Sequence, residues 1–176
     1  MSRYRRSLAE GATFFFTVNL ADRTSCLLID EIDRLRNAYR RVAERYPFET
    51  IAICVLSDHL HAIWRLPIDD ADFGMRWGHI KRGFSTGLLA DESRTSSKIA
   101  KREKGIWQRR FWEHQIRDDL DLQRHVDYIY FNPVKHGYVE RPFEWPHSSF
   151  YRDVRNGLLK NDWTYAGDDE SEKFGE

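Results

Sequence analysis

The sequence predicts an α+β fold, an antiparallel sheet with helices on one face and a further helix towards the C-terminus. Three observations carry that prediction. Short aromatic and β-branched runs are separated by one long amphipathic stretch. A Ser-Asp turn signal joins two of those runs into a hairpin. A second helical pattern, opened by acidic residues, follows the fourth run. With 176 residues, 41% of them hydrophobic, the chain suits a single domain, expected over residues 1–160, followed by an acidic tail over 161–176 expected to be disordered.

In chain order, "ATFFFTVNL" (12–20) reads as a buried strand. In "SCLLIDEIDRLRNAYRRVAERYP" (25–47), Leu28, Ile32, Leu35, Tyr39 and Val42 recur at helical spacing, and Pro47 marks the stop. "FETIAICVL" (48–56) and "HLHAIWRLP" (59–67) are two strands of one hairpin about Ser57-Asp58. "DFGMRWGHIKRGFSTGLLA" (72–90) carries a helical register weakened by four glycines, and "DESRTSSKIAKREKG" (91–105) has no apolar period and reads as a flexible basic loop. "IWQRRFWEHQIR" (106–117) holds the fourth strand. "DDLDLQRHVDYIYFNP" (118–133) is a helix with an acidic first turn, expected to end at Pro133. The order is that of a ferredoxin-like split βαβ sheet with an additional C-terminal helix, and it places the first and third strands at the centre.

Formal net charge is zero, but the distribution is uneven. Residues 76–110 hold ten Lys and Arg against three acids, and residues 162–176 hold six acids against one Lys. A phosphate responds to the local field and not to the sum, so the basic segment is compatible with nucleic acid and equally with a solvated face. The two cysteines, Cys26 and Cys54, show neither disulfide nor metal spacing, no apolar run approaches a membrane span, and no secretory pattern opens the chain. These features lead us to expect a reduced, cytoplasmic protein with no membrane partner.

Alternate residues of a strand share a face, so His59 and His61 project together and Leu60 opposite. Two imidazoles on a central strand can share one cation; a hydrogen-bonded core histidine beside an exposed one is the competing reading. Tyr128 and Asn132 are four apart and share one side of their helix, offering a phenol beside an amide oxygen, with His125 near the same side. Tyr130 lies about 200° round the helix from Tyr128 and cannot do the same job.

Together, "DHLHAIW", "KRGF", "IWQRRFWEHQIRDDLDLQRHVDYIYFNPVKHGYV" and "WPHSSF" resemble the REP-associated tyrosine transposases, a bacterial branch of the HUH single-strand nuclease and transposase superfamily. The likeness runs from about residue 12 to about residue 152. It implies His59 and His61 as metal ligands, Asn132 as the third, Mg²⁺ or Mn²⁺ as the ion, and Tyr128 as the nucleophile. It also implies a single-stranded DNA partner folded into a palindromic hairpin, cut and rejoined through a 5′-phosphotyrosine, by a monomer, with a homodimer left open.

Lys81, Arg82, Lys101, Arg102, Arg109 and Arg110 could carry phosphates; Trp77, Trp107, Phe111 and Trp112 could stack bases, with core packing expected for Phe111 and one tryptophan. Lys135 and His136, just past the tyrosine, could touch the scissile phosphate or the flanking strand. A catalytically silent hairpin binder of the same fold and a metal-dependent phosphohydrolase or ribonuclease stay open as alternatives.

Overall fold

The computed structural model describes residues 9–165; most of the expected acidic tail, residues 166–176, lies outside them. Four antiparallel strands, β1 (Thr13–Asn19), β2 (Glu49–Val55), β3 (His59–Arg65) and β4 (Trp112–Gln115), line up in the order β2-β3-β1-β4. This is the α+β, ferredoxin-like arrangement expected, with β1 and β3 central. The register pairs Thr17 with His61 and Asn19 with His59.

Both faces of the sheet are covered, and both central strands are buried on both sides, with the polar Thr17, Asn19, His59 and His61 on one of them. Phe14, Phe16, Val18, Leu60, Ala62 and Trp64 point to one side, where they meet α1 (Leu27–Asp30), α2 (Ile32–Arg45) and α3 (Phe73–Ser85). Phe15, Ala52, Cys54 and Ile63 point to the other, where α5 (Asp119–Lys135) and α6 (Phe150–Arg155) lie. The helices expected on one face are there as α2 and α3, with the short α1 beside them. The added helix takes the opposite face, and with it the tyrosine.

Local chemistry explains the boundaries. Asp72 caps α3 by accepting from Met75 N at 2.8 Å. One of the α3 glycines, Gly83, stands where an added Cβ would come within 3.1 Å of the Ala38 Cβ, so α2 and α3 approach through it. Asp118 caps α5 by accepting from Asp121 N at 2.8 Å. That helix does not stop at Pro133 as expected but runs on to Lys135. A proline in the last turn removes one backbone hydrogen bond, and Gly137, at φ 70°, then supplies the left-handed turn that ends the helix. The 91–105 segment is not wholly a loop: α4 (Ser96–Ala100) forms behind a Thr95 cap.

The edge of β2 is shielded by the segment after a 3₁₀ turn at Pro142–Glu144. Val55 N donates to His147 O at 2.9 Å, and Ser149 N to Ile53 O at 2.8 Å. Beyond α6, Trp163 packs on Phe150 and Tyr165 stacks on Phe131. Among the described residues no helix is long and apolar enough to cross a membrane.

Candidate active site

His59 and His61 sit on β3, both buried, with ring centroids 5.0 Å apart and planes at 82°. Each is anchored through Nδ1. His59 Nδ1 lies 2.8 Å from Asp58 Oδ1, and His61 Nδ1 lies 2.9 Å from Thr17 Oγ1, the residue opposite it on β1. Burial opposes ionisation of Asp58, but hydrogen bonds from the His59 ring and the Arg23 guanidinium outweigh it and lower the carboxyl to about 2. An ionised carboxylate only accepts, so His59 donates from Nδ1, and in the neutral ring the lone pair is then on Nε2. A carboxylate behind an imidazole is the usual support of a metal-binding histidine.

The stripe of α5 residues spaced four apart lies along this pair. At one end the Tyr128 ring stands 5.3 Å from the His61 ring, edge to face. At the other the His136 ring, at the helix C-cap, stands 5.2 Å from the His59 ring. Asn132, fully buried, is one turn from each along the helix, and its backbone carbonyl accepts from His136 N at 3.0 Å. Two imidazole nitrogens with one amide oxygen make a donor set that fits a borderline to hard divalent cation.

Tyr128 is 3% exposed, and Lys135 Nζ donates to its Oη at 3.2 Å. Tyr130 points the other way. Its hydroxyl donates to Asp153 and lies 3.1 Å from Ser149 Oγ; burial and the Asp153 charge hold its proton on well above the ordinary phenol range. His125, expected near Tyr128, stacks on His114 at 4.7 Å and also meets Phe15 at 4.8 Å.

His114, Asp121 and His125 form a second cluster whose ligand-type atoms lie within 4.8 Å of one another. Its geometry is that of a lock and not of a cation site. The two rings are stacked within 8° of parallel, so their in-plane lone pairs do not converge on one point. Asp121 already accepts from Arg117 N and Nε at 3.0 Å and faces His114 Nε2 at 2.8 Å.

The basic residues divide. Lys81, Arg82, Lys101, Arg102, Trp107 and Arg109 line one cleft of about 650 Å³ between the end of α3 and the 101–109 segment. Arg110 is exposed but is not part of its wall. Within the cleft, Lys81 donates to Gln108 O at 2.9 Å and lies over the Trp107 and Phe111 rings, while Arg109 is tied to Glu103 at 2.8 Å. Trp77 is core, stacked on Trp64 at 4.2 Å. Lys135 and His136 belong to the tyrosine–histidine site instead. Asp58 and Thr17 are not among the site residues read from the sequence, and Lys104, counted there only as charge, donates to Ser85 O and Leu88 O behind α3. The Asp58 signal was present in "DHLH"; Thr17 becomes visible only through the β1–β3 register.

No family model matches the chain. It is 52% identical over 165 residues to a Haemophilus influenzae protein assigned to the REP-associated tyrosine transposases, covering 93% of each chain. The chain belongs to that family. It is also 48% identical over 170 residues to the REP-associated tyrosine transposase of Escherichia coli K12, covering 96% of this chain and 93% of the relative. A solved structure of a REP-associated tyrosine transposase bound to a REP hairpin superposes with a TM-score of 0.86 at 46% identity, covering all of this chain and 98% of that one. As a REP-associated tyrosine transposase, this chain keeps an H-x-H pair on a central strand and a tyrosine helix that meets it from within the same chain.

Proposed function

We propose that this transposase cuts and rejoins single-stranded DNA at palindromic hairpins, with Tyr128 as the nucleophile and a 5′-phosphotyrosine as the intermediate. The observation that carries the reading is the meeting of α5 with β3: Tyr128 beside His61 and His136 beside His59, with the buried Asn132 one helical turn from each. His59, His61 and Asn132 would hold Mg²⁺ or Mn²⁺, which supplies a Lewis acid for the phosphate oxygens when bound. Imidazole donors favour Mn²⁺, and abundance in the cell favours Mg²⁺.

The residues of the chain supply the rest. Burial of Tyr128 restricts its rotamers, so little freedom is lost on reaching an in-line position. Asp58 and Thr17 hold the imidazoles in one orientation, and the central strand holds their backbone. The basic cleft gives the DNA backbone a path. Its 106–108 wall is hung on the end of β1, with Gln108 N donating to Asn19 O at 3.0 Å, and Asn19 pairs with His59. The cleft and the histidine pair thus share one end of the sheet. The hairpin in the superposing family member supports a hairpin as the partner here. The reaction is proposed for a monomer, since tyrosine and histidines meet within one chain.

The test is a denaturing gel of the protein with a labelled palindromic single strand and Mn²⁺ or Mg²⁺. A covalent band that disappears in Tyr128→Phe is expected. Cleavage without a band would point to a hydrolase, and a shift seen only under native conditions to a silent binder.

A further inference from the structure

We propose that Lys135 is a catalytic residue of the transesterification, the group that stabilises charge on the tyrosine oxygen in both directions; this rests on the transesterase reading above. Lys135 is the last residue of α5 and lies seven residues, about two turns, beyond Tyr128. A lysine at a helix C-terminus ordinarily spreads its ammonium over the terminal carbonyls or into water. Here the side chain runs back along the helix instead. Its Nζ reaches Tyr128 Oη at 3.2 Å and lies 5.1 Å from the centre of the same ring. A half-buried ammonium turned on the reacting atom is a charge-assisted donor at the position where charge changes most.

The chemistry balances without a co-reactant. In the forward step the Tyr128 Oη–P bond forms and the P–O3′ bond breaks. The phenol proton leaves to water, and the departing 3′-oxygen takes one up from water. In the rejoining step a 3′-hydroxyl oxygen attacks phosphorus, its proton passes to water, and Oη departs as a phenolate. Charge resides on Oη at the start of one step and at the end of the other, and one donor serves both.

A lysine that only binds phosphate would act on affinity; a donor to Oη acts on the rate with DNA already bound. The experiment therefore measures adduct formation under single-turnover conditions at saturating hairpin, with Mn²⁺, for wild type, Lys135→Met, Lys135→Gln and Lys135→Arg. Hairpin affinity is read separately by anisotropy in a Tyr128→Phe background. The Met and Gln variants should slow adduct formation by about 10²-fold. Rejoining of a purified adduct by a 3′-hydroxyl strand should slow by a similar factor, affinity should be nearly unchanged, and Lys135→Arg should recover part of the rate. Wild-type rates in both neutral variants, or a loss that vanishes as hairpin concentration rises, would overturn the proposal. A wild-type protein that forms no adduct would overturn the transesterase reading itself, and the role of Lys135 with it.

Discussion

The ring centroids of Tyr128 and His61 stand 5.3 Å apart, edge to face, so the fifth helix meets the central strand at these two residues. Neither element decides this alone. β3 must turn its odd-numbered residues towards α5, and α5 must turn residues 128, 132 and 136 towards β3.

Tyr128 and Tyr130 should separate cleanly on substitution. Tyr128→Phe should abolish the covalent adduct while leaving hairpin affinity and melting temperature close to wild type. Tyr130→Phe should still form the adduct. It removes the donor to buried Asp153 and should lower stability by about 1–3 kcal/mol in denaturant unfolding.

Metal binding should depend on the supports as well as the ligands. Titration calorimetry with Mn²⁺ should find one site in wild type and none in a His59→Ala, His61→Ala double variant. Asp58→Asn, which weakens the anchor on His59 Nδ1, should bind Mn²⁺ about 10–100-fold more weakly. At a Mn²⁺ concentration 100 times Kd, wild type should gain about 2.7 kcal/mol of stability, a gain absent from the double variant.

The cleft residues should behave as phosphate contacts, with one exception. Arg82→Ala and Lys101→Ala should each weaken hairpin binding irrespective of base sequence, and each should reduce the slope of log K against log salt by about 1. Lys81 is held over two aromatic rings and on a carbonyl, so Lys81→Ala should also destabilise the fold by about 1 kcal/mol.

Asp121 supplies a pH test. Burial opposes its ionisation, but the Arg117 and His114 hydrogen bonds outweigh it and hold the carboxyl below its ordinary value of 3.8. A carboxyl depressed in the folded state stabilises above the unfolded value, and that stability is lost as pH falls through the folded one. Asp121→Asn should therefore cost about 1–3 kcal/mol at pH 7, with the gap to wild type closing below about pH 4. His114, Arg117 and His125 are the titratable groups facing this carboxylate, and a gap that stays constant down to pH 2 would contradict the assignment.

Much of this site was readable because strand and helix periods are local properties. The alternation 59/61 and the spacing 128/132 follow from backbone geometry wherever the elements lie, and so does the exclusion of Tyr130. The α5 terminus lies beyond Pro133 because a proline in the final turn costs one hydrogen bond rather than the helix. The short helix α4 rests on the Thr95 cap in a segment with no apolar period to announce it. The basic segment looked uniform in sequence, yet Arg76 is buried on Asp70 at 2.6 Å and Lys104 braces the end of α3. A charge count registers how many cations there are, not which of them are already spent on carboxylates and carbonyls within the fold.

The amino-acid order by itself determined the strand and helix sequence, the common face of His59 and His61, and the family. Only the tertiary structure decided that α5 covers the face those histidines occupy, that Thr17 and Asp58 anchor them, and that Lys135 turns back onto Tyr128. The physical reason is range. Periodicity is set by neighbouring dihedrals, whereas the choice of sheet face depends on which apolar surfaces, distant along the chain, exclude water best together.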